Sequence, residues 1–164
     1  MAAEALTREI GAYDEALEHM ANHLYPETRR LREVPGVGVL TALVYVLIVD
    51  EPHRFARSRD VGCYLGLRPQ RRQSGGFDPQ LGITKAGDTY LRKLLVQCAH
   101  HILGHFGSDT ALRRWGLKLC ERGGKNAKKR AVVAVARKLA VLLHHLWVSG
   151  ERYCAFPSSD AVAA

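Results

Sequence analysis

Apolar side chains at Leu6, Ile10, Tyr13, Leu17, Met20 and Leu24 are spaced by alternating steps of four and three, with Glu4, Glu9, Asp14, Glu15 and Glu18 between them. That spacing is a heptad seam of nearly three repeats, which predicts a helix whose apolar stripe meets either a partner helix or its own domain. Pro26 interrupts it, and a short helix is expected from about Glu27 to Glu33. Residues 40–49 are apolar almost all round, the pattern of a buried helix. Further helices are predicted from Arg59 to Leu65 with Ser58 as N-cap, and from Lys85 to Leu103 with Thr84 as cap. Two more are expected, one from Ser108 and Asp109 to Cys120, stopped by Gly123 and Gly124, and one in the Ala/Val/Leu stretch before Gly150. No stretch alternates convincingly as a strand, apart from a possible extended piece around Phe77 to Ile83. The fold class expected is all-α: a heptad, coiled-coil-like helix (1–30), a compact multi-helix domain (31–153) and a disordered tail (154–164).

Between Val34 and Leu43 the sequence reads VPGVGVLTAL. A turn with Gly36 and Gly38 before an apolar helix matches a helix-hairpin-helix, in which backbone amides at the start of the second helix face outward and take a phosphate. A plain turn between two helices would look similar. Asp50 and Glu51 before Pro52 read as a helix exit, and two carboxylates alone make a poor magnesium site. Cys98, His101 and His105 share one helix face, yet one helix supplies at most three ligands and no fourth is apparent, so no metal site is expected.

Charge changes the picture. The 164 residues carry a formal net charge of +8, but residues 1–67 hold seven Lys/Arg against ten Asp/Glu, whereas residues 68–138 hold sixteen against four. An imbalance of that size is the footprint of a polyanion, and DNA is the partner it implies. The basic half opens with LRPQRRQSGG, in which Ser74 is followed by Gly75 and Gly76 and preceded by Arg71 and Arg72. Glycines allow close approach of a ligand to the backbone, and arginines supply forked donors to phosphate. An unremarkable Gly-rich surface loop would have the same letters. Lys85, Arg92 and Lys93 are expected near that loop. Lys125, Lys128, Lys129 and Arg130 form a second basic, Gly-preceded helix start suited to phosphates. The four cysteines form no C-x-x-C pair, consistent with reduced thiols in a cytoplasmic protein; no secretory segment and no apolar run long enough to span a bilayer is expected, hence no membrane partner.

The succession VPGVGVLTAL, the Arg54-Phe55 pair, YLGLRPQRRQSGG, ITKAGDTYLRKLLVQCAHHILG and RGGKNAKKRAVVAVARKLAVLLHHLW, running from about Leu31 to Tyr153, closely resembles the C-terminal domain of the bridge-RNA-guided insertion-sequence transposase family. The resemblance implies DNA transposition or recombination in which a serine attacks a phosphodiester, and it places that serine at Ser74, with Arg71, Arg72, Lys85 and Arg92 as phosphate-facing neighbours. It also implies a structured guide RNA, and Mg²⁺ held by a RuvC-like DEDD domain that has no counterpart in these residues; no cofactor is expected on this chain itself. The N-terminal helix matches the end of the family's coiled-coil segment and would join a second copy or a full-length transposase. Since a serine hydroxyl needs activation to attack phosphorus, the chain is expected to cleave DNA poorly alone. The alternative is a non-catalytic helix-hairpin-helix module or transposase remnant that only binds nucleic acid.

Overall fold

The computed structural model describes residues 1–70 and 82–157. Among the described residues there are seven α-helices: α1 Ala2–His23, α2 Thr28–Leu31, α3 Val39–Val49, α4 Ser58–Tyr64, α5 Thr89–Leu103, α6 Ala111–Glu121 and α7 Ala127–Ser149. A 3-10 turn, Pro52–Arg54, lies between α3 and α4, and the one extended feature among the described residues is an isolated antiparallel bridge between Pro69 and Ile83. The all-α class expected from periodicity is the class observed.

α7 is the centre of the domain. Its Ala131, Val135, Ala136, Leu139, Ala140 and Leu143 are buried, against α4, α5 and α6. Its apolar stretch has the length and composition of a membrane span, contrary to the expectation that no such run exists. Half of that stretch is buried inside the protein. Gly116 permits the closest approach of α6: a Cβ there would stand 2.5 Å from Val135 and 2.7 Å from Leu103. Tyr45 of α3 reaches α7 from another side, its buried hydroxyl donating to Ala140 O at 2.6 Å, and burial pushes that phenol well above its ordinary pKa.

Local chemistry moves several helix starts. α5 begins at Thr89, four residues later than expected, because Lys85 (φ 57°) and Gly87 (φ 76°) lie in the left-handed region and Asp88 accepts from Leu91 N at 2.7 Å as the N-cap. α6 starts after Thr110, whose hydroxyl accepts from Arg113 N at 3.1 Å, while Asp109 pairs with Arg114. Ser58 sits inside α4; its hydroxyl hydrogen-bonds His144 Nδ1 at 2.9 Å instead of capping. α2 is a single turn, and Arg32 leaves it to grip Glu18 of α1 through both guanidinium nitrogens, at 2.7 and 2.8 Å. Thr28 donates to Ala21 O at 3.0 Å beside that pair.

α1 is thus tied down only at its C-terminal end. Of its seam, Leu6, Ile10 and Tyr13 are 62, 60 and 70% exposed. At the other terminus residues 154–157 are ordered onto α6, with Ala111 N donating to Ala155 O at 2.8 Å and Arg114 4.7 Å from the Phe156 ring centre. Residues 158–164 of the expected tail lie outside the described residues.

His144 joins the 3-10 turn, α4 and α7, since its Nε2 also meets Pro52 O at 2.8 Å. Burial first, and secondarily the nearby His53 and His145, pull its pKa below the ordinary imidazole value, against the Pro52 carbonyl, which raises it. A depressed histidine binds its proton more readily in the unfolded chain, so its contribution to stability is complete above about pH 6.5 and is lost as pH falls from there towards the folded-state pKa. Denaturant unfolding at pH 7.5 and pH 5 should therefore show a smaller loss on acidification in His144→Gln than in the parent; equal losses would show that His144 is not the group responsible.

Candidate nucleic-acid interface

The expected phosphate-binding residues fall at two ends of the domain. At one end, α4 finishes at Tyr64 and the chain passes through Gly66, Leu67 and Arg68 to the bridge. Gln70 N donates to Gly82 O at 2.8 Å and Thr84 N to Arg68 O at 2.9 Å, so the two strands on either side of residues 71–81 are hydrogen-bonded to each other. Ser74, Arg71, Arg72, Gly75 and Gly76 lie outside the described residues; what the structure fixes is this base.

Two glycines let the base close. Gly66 (φ 70°) is so near the returning strand that a Cβ would stand 2.1 Å from Ala86 O, and a Cβ on Gly87 (φ 76°) would stand 2.1 Å from Tyr64 O. Both sites need positive φ and backbone-to-backbone contact, which glycine alone supplies without strain. Lys85 N donates to Gly66 O at 3.0 Å across the same crossing. Neither Gly66 nor Gly87 belongs to the expected site, and the only mark either leaves in the sequence is the glycine itself.

Arg92 is expected among the phosphate-facing cations, and the structure puts it elsewhere. It is 9% exposed, and its Nη1 donates to Ala86 O at 2.9 Å and Leu65 O at 3.2 Å, while Nη2 donates to Thr89 Oγ1 at 3.2 Å. The guanidinium takes up one carbonyl from each of the two crossing segments, and it thereby fastens α5 to the end of α4. Lys85 and Lys93 remain exposed.

The start of α7 presents Lys125, Lys128, Lys129 and Arg130 on the surface, after Gly123 (φ 74°) and Gly124 (φ 91°) turn the chain out of α6. α7 contains no Asp or Glu from Ala127 to Ser149. α4 and α7 run antiparallel: Ser58 meets His144, and Gly62 meets Arg137. The chain leaving α4 towards the bridge therefore heads towards the start of α7.

The turn at Gly36 and Gly38, expected as a hairpin, is at the other end of α5. Gly36 (φ 92°) packs on that helix, a Cβ there standing 3.0 Å from Ile102 and 3.3 Å from His101, whereas Gly38 has open space about its Cα and an extended conformation before Val39. Ten residues of α5, about 15 Å, separate Ile102 from Arg92. Gly36 and Gly38 are not brought together with Lys85 or with the strands flanking residues 71–81.

No three His, Cys, Asp or Glu side chains stand together as metal ligands among the described residues. Cys98 is turned inward, its Sγ 3.5 Å from Thr41 Oγ1, and burial raises its pKa. Among the described residues the donors present do not fit a Mg²⁺ ion.

A family model described as Transposase IS116/IS110/IS902 family matches residues 28–115. The chain is 39% identical over 153 residues to the transposase for insertion sequence element IS1111A of Coxiella burnetii (strain RSA 493 / Nine Mile phase I), covering 92% of this chain and 41% of that protein. It is 35% identical over 152 residues to the putative transposase y4pF/y4sB of Sinorhizobium fredii (strain NBRC 101917 / NGR234), covering 90% of this chain and 38% of the relative. A pilin gene-inverting protein of Moraxella lacunata is 29% identical over 113 residues, 68% of this chain and 34% of that protein. The chain thus spans about two fifths of the length of the first two relatives.

Replacing Arg92 by Met should lower the unfolding free energy by about 2–3 kcal/mol, because buried carbonyls lose a charged donor. Affinity for DNA, measured well below the variant's melting temperature, should stay at the parent value. Intact stability together with lost binding would return Arg92 to the ligand-facing set.

Proposed function

The chain belongs to the transposase IS116/IS110/IS902 family, and on that premise we propose that it is the serine-bearing, DNA-binding helical part of a cytoplasmic machinery for DNA transposition. The observation that carries the reading is the family match across residues 28–115, which takes in the hairpin, both strands of the bridge and the whole of α5. The cationic start of α7, beyond the matched segment, supports it.

In this reading Ser74 is the nucleophile. Its oxygen forms a new P–O bond while one of the two ester bonds of a DNA phosphodiester breaks, the leaving strand departs with a hydroxyl end, and the number of phosphoester bonds is unchanged, so the link can be reversed for rejoining. Gly75 and Gly76 let the strand approach, and Arg71 or Arg72 offsets charge on the phosphorane. Lys85, Lys93, Lys125, Lys128, Lys129 and Arg130 hold phosphates without reading bases. The hairpin at Gly36 and Gly38 is a helix-hairpin-helix contact to a separate stretch of backbone, since about 15 Å of α5 lies between it and Arg92. A structured guide RNA is a second polyanion for the same surface. The described residues supply no carboxylate set, so activation of the serine depends on a partner, and a binding-only role is the alternative for the chain by itself.

The exposed seam of α1 supplies the means of recruiting that partner, as a coiled coil with a second copy or a full-length transposase. Ile10→Asp with Leu17→Asp should reduce the mass seen by sedimentation equilibrium, whereas an unchanged mass would remove α1 from the association.

With a full-length family member and insertion-sequence DNA, the chain should form a protein–DNA adduct that survives boiling in detergent. Ser74→Ala should abolish adduct formation on this chain and leave binding intact. An adduct that persists in the variant, or that maps by mass spectrometry to Ser58 or Tyr90, would assign the nucleophile elsewhere.

A further inference from the structure

Beyond its cationic start, α7 carries two adjacent cations, Arg137 and Lys138, that serve different flanks. Lys138 Nζ lies 4.4 Å from the ring centre of Trp115 on α6. Arg137 turns the other way, onto α4. A Cβ at residue 62 would stand 3.0 Å from Arg137 Cγ, 3.6 Å from Cδ and 3.3 Å from Nε, so the side chain rests along its length on the bare backbone of Gly62. Any larger residue there would lift it away.

The α4-facing flank is marked independently by His144 on Ser58. Arg130, Arg137 and His144 are spaced by sevens, which puts them on one stripe of the helix. Along that stripe Arg130 and Arg137 are separated by about 10.5 Å. Charge on the flank is predominantly positive: α7 has no acid, α4 has Asp60 alone, and Asp60 faces Arg57 at 3.3 Å. Exposed Arg59 adds a further cation to α4. No carboxylate among the described residues pairs with Arg137, and the residue is only partly buried. A guanidinium whose stem is already immobilised loses little rotamer freedom on binding, and its planar fork matches two phosphate oxygens.

We propose that Arg137 is a phosphate-binding residue, and that a nucleic-acid strand held at the cationic start of α7 continues along the α4–α7 flank, where Arg137, seated on Gly62, takes a further phosphate. The inference rests on nucleic-acid binding by the chain and adds a residue and a direction to it. The strand is held through its backbone, because the cations of this flank offer donors to phosphate oxygens and the packed α4–α7 junction leaves Arg137 its guanidinium as the contact.

Affinity of the full chain for a labelled random-sequence DNA duplex, followed by fluorescence anisotropy across a KCl series, tests this. Arg137→Met keeps the stem on Gly62 and removes the charge; it should reduce the slope of log affinity against log salt by about 0.9 and weaken binding about fivefold to tenfold near 0.1 M salt. Lys138→Met removes the same charge one residue away on the α6 flank and should leave the slope at the parent value. Arg137→Lys should restore the slope while recovering only part of the affinity, because the fork is lost. Equal losses from the Arg137 and Lys138 variants would overturn the site in favour of a general field, and parent-like binding by Arg137→Met would overturn it outright. Were Arg137→Met to melt below the assay temperature, the lysine variant decides, parent affinity overturning the two-point contact. A parent chain that does not bind DNA even at low salt would take down the underlying function as well, so the two failures are distinguishable.

Discussion

Everything at the candidate site depends on the crossing of two backbones at Gly66 and Gly87. Gly66 O finds a main-chain donor across the crossing in Lys85 N, but Leu65 O and Ala86 O are met by a side chain, and an unpaired buried carbonyl costs as much as a lost hydrogen bond. Arg92 answers that need from inside α5, giving one side chain to the carbonyls of Leu65 and Ala86. The left-handed conformation at Lys85 and the late start of α5 at Thr89 accompany the same crossing. The base of the segment containing Ser74 is therefore held by backbone geometry and one buried cation, leaving the exposed lysines around it for ligands.

The same economy governs the rest of the domain. Small residues sit where α7 is approached closely, Gly62 from α4 and Gly116 from α6, and each admits a long side chain or a second helix that a Cβ would exclude. α6 and α4 both run antiparallel to α7, so their contacts distribute the cations of α7 between two flanks. Polar side chains that are buried have partners: His144, Tyr45, Thr28 and Arg92 all bond to main-chain oxygens.

Charge and periodicity served differently as guides. The imbalance between residues 1–67 and 68–138 is a property of composition and survives any fold, so a basic surface was legible, and Lys128 and Lys129 are exposed. Arg92 was misread because an arginine near a Gly-rich loop looks the same whether its guanidinium faces a phosphate or a carbonyl. Ser58 and Thr84 were misread as caps for a related reason: a good capping residue is overridden when a tertiary partner claims its hydroxyl, as His144 claims Ser58, or when the backbone is left-handed nearby, as at Lys85.

By itself the sequence determined the helices and their class, because 3.6-residue periodicity and the glycine and proline punctuation act over a few residues and need no distant partner. It also determined the amphipathic seam of α1 and the sign of the surface charge. The tertiary structure alone decided which cations face inward, which glycines mark contacts, and that the turn at Gly36 and Gly38 and the strands flanking residues 71–81 stand at opposite ends of α5. Those outcomes depend on pairs such as Arg92 with Leu65 and Gly62 with Arg137, 27 residues apart in the first case and brought together only by packing. Local pattern carries no information about which distant carbonyl or bare backbone a side chain will meet.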